Sequence, residues 1–205
     1  MMAKLAERRK ELLDSMMKEA VYEGAVQVLT QYGLSGTTMD RVAAASGMAK
    51  GSLYNCFRNK QQLLEFVHDR AVTPLRLAID QVVAGPLGAA EKLRVIIRMW
   101  REYLVEHQAV FEFLISDQTV KQRLRATEQT ARDTGIRQVV TILRQGIDEG
   151  VFRSVDVQAV AEMMISAAIG LVEREFATGQ RREVDEAVET MSSVFLYGFS
   201  AEHAS

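Results

Sequence analysis

Between Met16 and Tyr32 apolar residues fall at Met17, Ala20, Val21, Val28 and Leu29, with polar residues on the opposite face. That spacing predicts a helix, and Gly33, where a left-handed cap is easy, predicts its end. The loop Leu-Ser-Gly-Thr leads to Thr37, placed as an N-cap with Asp40 three residues on in capping-box position. In the short helix that follows, Met39, Val42 and Ala43 point inward, and the small Ala44 and Ala45 allow close approach. Ser46-Gly47 ends it, and the glycine can supply a left-handed turn. A second short helix runs from about Ala49 to Phe57. Its Leu53 and Phe57, four residues apart, should pack on the first, with Met48 closing the turn.

The pattern continues through the rest of the chain. Gln61 to Val83 carries Leu63, Leu64, Val67, Ala71, Leu75 and Ile79 on one face, and Pro74 predicts a kink or break within it. Gly85 to Gly88 reads as a loop. Ala89 to Glu106 follows as a helix with Leu93, Ile96, Ile97, Trp100 and Leu104 inward, then a shorter one from His107 to Ile115. Thr119 to Glu149 is helical and ends at Gly150, with Gly135 weakening its middle. Asp156 caps a helix to about Phe176, and Glu183 to Phe199 forms the last. The expected fold class is therefore all-α. A three-helix helix-turn-helix domain occupies residues 1–60, and a bundle of six helices occupies residues 61–205.

Composition narrows the function. At 48% hydrophobic and 25% charged, the chain of 205 residues supports a sizeable core, and its longest apolar stretches are too short to span a bilayer. No signal-peptide block opens the chain, and the lone Cys56 fits a reducing cytoplasm. The net charge of −2 conceals an asymmetry. Residues 1–62 carry nine Lys/Arg against six Asp/Glu, and residues 63–205 carry sixteen against twenty-one, so +3 and −5 sum to −2. A positive head on a negative body suits a protein that lays one end on phosphate.

The second short helix leaves Lys50, Ser52, Tyr54 and Asn55 on or beside its outer face, with Arg58 and Lys60 following. Lysine pairs with phosphate or guanine, asparagine pairs bidentately with adenine, and a tyrosine hydroxyl reaches phosphate. A plain helical hairpin with a solvated polar face has the same spacing. What separates the two readings is the run from Gly33 to Leu64, whose Gly33, Thr37, Thr38, Val42, Ala43, Ala45, Gly47, Gly51, Tyr54, Phe57, Lys60 and Leu63 resemble the TetR family of bacterial transcriptional regulators. The resemblance covers about residues 15–65. It implies a three-helix DNA-binding domain, a helical C-terminal domain, a homodimer, and repression relieved by a small ligand. It also implies DNA contacts from Thr38, Lys50, Tyr54, Asn55 and Lys60, and the candidate surface adds Thr37, Met48, Ala49, Gly51 and Ser52. The chain departs from the pattern at Ala49, where the family has Ser or Thr, and at Cys56, where it has an aromatic residue or His. One alternative is a protein of this fold that acts mainly by binding another protein, for which the weakly positive head and the missing cap at Ala49 leave room. Another is oxidation of Cys56 in the recognition helix as a trigger, set against its use as a small packing residue with no resolving partner.

Two further sites are expected in the body. Met163, Ala167, Gly170 and Leu171, with Val184, Val188, Met191 and Phe195, recur every three or four residues on the last two helices. Burial against the chain's own bundle must take part of each face, and homodimerisation takes the rest. A two-fold dimer would set its recognition helices about 34 Å or more apart, matching a palindromic operator of double-stranded DNA. For a small-molecule effector, Trp100, Tyr103, Phe111, Phe113 and Phe66, with Met99, Met163 and Met164, are the candidates to line an apolar cavity rather than plain core. Arg98, Arg101 and Glu173 are candidate charged anchors, weighed against being solvated or ion-paired. His68, His107 and His203 lack metal spacing, Glu173 and Glu175 point to different sides of a helix, and nucleophile or phosphate-loop motifs are absent. No cofactor and no enzymatic activity are expected.

Overall fold

The structure is a computed structural model that describes residues 2–116 and 118–198. Among the described residues every element is a helix: α1 (Met2–Gly36), α2 (Met39–Ala45), α3 (Lys50–Cys56), α4 (Lys60–Ala84), α5 (Ala89–Glu106), α6 (Gln108–Ser116), α7 (Gln118–Asp148), α8 (Val157–Thr178) and α9 (Val184–Gly198). The predicted all-α class and the order of elements hold. Phe199, the expected end of the last helix, and His203 lie outside the described residues.

The first helix begins much earlier than its apolar period suggested. α1 starts at Met2, and Leu12, Leu13, Met16 and Met17 on its first half are exposed, so Met17 does not face the core. Burial begins at Val21 and continues through Ala25, Val28 and Leu29, one face of the helix. Gly33 adopts φ 63°, which breaks the helix where the sequence placed its end. Gly24 meets the end of α2: a Cβ there would lie 2.8 Å from the backbone nitrogen of Ser46, so a larger residue would push α1 and α2 apart.

Capping also moves by one residue. Thr38, not Thr37, caps α2 by accepting a hydrogen bond from the Arg41 amide at 3.2 Å. Thr37 is buried, and its hydroxyl donates to the Gly33 carbonyl at 2.7 Å. Met39, Val42 and Ala43 face inward as expected, whereas Ala44 and Ala45 are exposed. Ala49, the N-cap of α3, offers no side-chain hydrogen bond. Asn59 caps α4, accepting from the Gln62 amide at 3.0 Å. Pro74 does not break α4, which stays helical from Lys60 to Ala84 with the proline on its exposed side.

α4 joins head to body. Its Leu63, Leu64, Val67 and Ala71 belong to the same buried cluster as Val21, Val42 and Leu53 of the head and as Val110, Leu114, Val120 and Leu124 of α6 and α7. The Phe57 and Phe66 rings meet in that junction with centroids 5.0 Å apart. A second cluster at the far end holds Leu93, Val139, Ile142, Leu143, Phe152 and Ala161. Ile97, Ala168, Val188 and Met191 form a third, where α9 lies on α5 and α8.

Candidate nucleic-acid interface and ligand cavity

α3 is held from below by Leu53, which is fully buried, and by Phe57 just after it. Everything else on the helix is turned outward: Lys50, Gly51, Ser52, Tyr54, Asn55 and Cys56 are exposed, as is Ala49 before it. Lys50 is not a free cation. Its Nζ donates to Asp40 Oδ2 of α2 at 2.8 Å, which raises the lysine pKa, and it sits 6.0 Å from the Tyr54 ring centroid. Thr38 is exposed at the start of α2, and Met48 and Lys60 are half-buried. The Lys60 ammonium donates to the Leu34 carbonyl, tying α4 to the turn before α2. Thr37 is the candidate that the fold withdraws: with its side chain buried, only its backbone remains near this surface.

The sequence pattern did not single out the pairing of Tyr32 with Arg41. The Arg41 guanidinium lies 4.5 Å above the Tyr32 ring centroid and also donates to the Gly36 carbonyl. Nine positions separate the two residues across a turn, so helical spacing gives no hint of the pair.

Within the body a cavity of about 460 Å³ opens between the three buried clusters, within the size range of small-molecule sites. α4 contributes His68, Val72, Leu75 and Ile79 from successive turns. Trp100, Phe111 and Met164 reach its wall, as expected of them, and Met191 and Phe195 do so too, although they had been grouped with the dimer surface. Phe66, Met99, Tyr103, Phe113 and Met163 do not line it. Phe66 is taken up by Phe57, and Phe113 packs against the head-side core. The Tyr103 hydroxyl donates to the Ala71 carbonyl at 2.9 Å, and Met163 is exposed on the far side of α8.

The mainly apolar wall also carries charged groups, Arg76, Arg125 and Arg132 beside Lys121, Glu128 and Glu173. Gln138 donates to Asp80 Oδ1 at 2.6 Å, and Lys121 pairs with Glu173. Burial pushes the Glu128 carboxyl above its ordinary range against the pull of Lys121, with Glu173 adding to the rise. Of the other candidate anchors, Arg98 pairs with Asp185 at 2.7 Å on the surface, outside the cavity. Arg101 is buried and pairs with Glu175 at 3.1 Å, and Arg182 reaches the same carboxylate at 3.3 Å. Neither Arg98 nor Arg101 is a cavity anchor.

The expected pairing surface divides in two. Met163, Ala167 and Gly170 form an exposed stripe on α8, and Leu171 and Val184 are half-buried. Val188 and Met191 are buried against Ile97 and Ala168 and face this chain's own bundle. The outward residues of α9 are instead Thr190, Val194 and Tyr197, with Val194 63% exposed. A period of three to four marks both faces of an amphipathic helix when each carries apolar residues, so the sequence picked the wrong one for α9.

Residues 21–67 match the family model of bacterial regulatory proteins of the tetR family, and residues 86–196 match that of the tetracyclin repressor-like C-terminal domain. The second match alone spans more than half of the chain. The chain belongs to the TetR family. A TetR-family relative, the HTH-type transcriptional repressor KstR2 of Rhodococcus jostii, is 26% identical over 199 residues, covering 96% of this chain and 93% of that protein. Two solved structures have the same fold. One is SmeT in complex with triclosan, with a TM-score of 0.81 at 18% identity over 91% of this chain and 93% of that one; SmeT is the repressor of a Stenotrophomonas maltophilia multidrug efflux pump. The other is the transcriptional regulator FadR of Bacillus subtilis with stearoyl-CoA, with a TM-score of 0.75 at 18% identity, covering 88% and 98%. Among the described residues no helix is long and apolar enough to cross a membrane.

Proposed function

We propose that this TetR-family protein is a ligand-responsive transcriptional repressor of the cytoplasm. It binds a palindromic double-stranded operator as a homodimer and is released by a small, largely apolar effector, with no enzymatic step. Residues 1–60 act on DNA, and residues 61–205 bind the effector and the partner copy. The observation that carries this reading is the course of α4. Its first turns share the core beneath the recognition helix α3, and its later turns line the cavity. An effector that fits only one tilt of α4 shifts the population toward that tilt, and operator affinity changes by linkage. The apolar wall supports an apolar effector, as do the ligands of two proteins of this fold, triclosan and stearoyl-CoA. The exposed stripe on α8, continued by Val194 and Tyr197 on α9, supports pairing of two copies.

Selection of bound sequences from a genomic DNA pool at a fixed salt of about 0.15 M tests the reading, since phosphate-driven affinity depends steeply on salt. A palindromic site enriched by the wild type and lost with Tyr54→Ala is the expected result. A folded dimer that enriches no sequence sinks operator recognition.

A further inference from the structure

Among the described residues, three side chains keep a fully buried polar atom with no hydrogen-bond partner: His68 Nδ1, Arg101 Nε and Ser192 Oγ. Of these, only His68 lines the cavity. Its residue is 5% exposed, and it is the first α4 residue on the wall, at the end nearest the head. Asp69 is the nearest charged group, with Oδ1 3.6 Å from Nδ1, too long for a hydrogen bond, and its side chain points to solvent. Burial lowers the imidazole pKa, with Asp69 opposing only in part, so the ring is neutral near pH 7. A neutral imidazole offers one donor and one acceptor. Nδ1 is closed off from the cavity and lies beside Asp69, so the ring nitrogen left for a molecule in the cavity is Nε2.

We propose that His68 is the polar contact of the effector. The effector class that follows is an otherwise apolar molecule with one uncharged oxygen group, a hydroxyl or a carbonyl, that hydrogen-bonds the imidazole at the head-side end of the cavity. The ring is neutral, so an ionised group finds no counter-charge at this contact. The inference rests on the cavity being the effector site. It adds the residue that selects among apolar molecules, because an analogue without the oxygen leaves the imidazole unpaired.

The matched probes are 2-naphthol and naphthalene, titrated calorimetrically into the full-length protein, its His68→Leu variant and its His68→Gln variant. Burial of apolar area alone favours naphthalene. Wild type should instead prefer 2-naphthol by about tenfold. His68→Leu should lose that preference yet still bind naphthalene, and His68→Gln should keep part of it. Without ligand, His68→Leu should also melt above wild type, since it removes an unpaired buried group. A His68→Leu protein that retains the preference, or a wild type that shows none, overturns the assignment while leaving the cavity as a binding site. If neither probe binds wild type or the variants, the cavity reading falls and this assignment falls with it.

Discussion

Asp40 places a carboxylate on the surface proposed to face DNA, and its partner is the lysine expected to hold phosphate. Docking must exchange that ion pair for a phosphate contact while a negative charge stays close by. Asp40→Asn should therefore tighten DNA binding several-fold and steepen its salt dependence by about one phosphate equivalent, a log–log slope change near 0.9. Fluorescence anisotropy across a salt series reads both. Deeper in the molecule, Glu175→Ala leaves the buried Arg101 with no carboxylate, and the loss should be about 3–5 kcal/mol; chemical denaturation measures it. His68 gives a pH signature. Its folded pKa lies below its unfolded value, so the unfolded chain binds the extra proton as pH falls below about 6.5. The penalty for holding the ring neutral is absent above that pH and grows as pH falls toward the folded pKa. His68→Leu should flatten this stretch of a stability–pH curve. Glu128 runs the other way in a lower window, losing stability as pH rises from about 4.5 through its raised pKa. None of this was readable from the sequence. Lysine and arginine are seldom fully buried, yet Lys92 and Arg101 both are. Their partners, Gln145 and Glu175, stand far along the chain.

At the scale of elements the sequence was a better guide, for a physical reason. Helix ends are set by local chemistry, so Gly33, Gly150 and Asp156 could be recognised where they stand. The weaker cases were those where two residues compete or where exposure decides. Thr37 and Thr38 are both able caps, and burial of the first gives the role to the second. Thr38→Ala should cost about 1 kcal/mol, and Ala49→Ser, which supplies the cap α3 lacks, should gain about 0.5–1 kcal/mol. Both appear as shifts in denaturant midpoint at constant slope. Pro74 was expected to interrupt α4. It is tolerated because the carbonyl one turn earlier belongs to Arg70 on the exposed side, where water can satisfy it.

For the whole molecule, the general plan was readable and the faces were not. Family-like residues made the helix-turn-helix head legible, because its pattern sits on one short segment. The cavity draws on six helices, α4 to α9, so no local pattern could say that Trp100 reaches it and Tyr103 does not. The same difficulty hid which side of α9 is outward. A direct test follows from the faces now seen: Ala167→Glu or Val194→Glu should convert a dimer to monomer in sedimentation without lowering the melting temperature of the monomer fold. Val188→Ala should instead destabilise by about 1–3 kcal/mol and leave association alone, since its side chain fills the bundle.

The shared cluster around α4 also bears on how the protein comes apart. Leu63, Leu64 and Val67 lie beyond residue 60 yet complete the packing of Val21, Val42 and Leu53. A fragment ending at residue 60 would leave that apolar surface open to water and should stay unfolded. The intact protein should melt in one calorimetric transition, with calorimetric and van't Hoff enthalpies agreeing for the folding unit. The helices of the head then have no stability of their own to draw on: whatever loosens the bundle, heat or a poorly filled cavity, loosens the head in the same step.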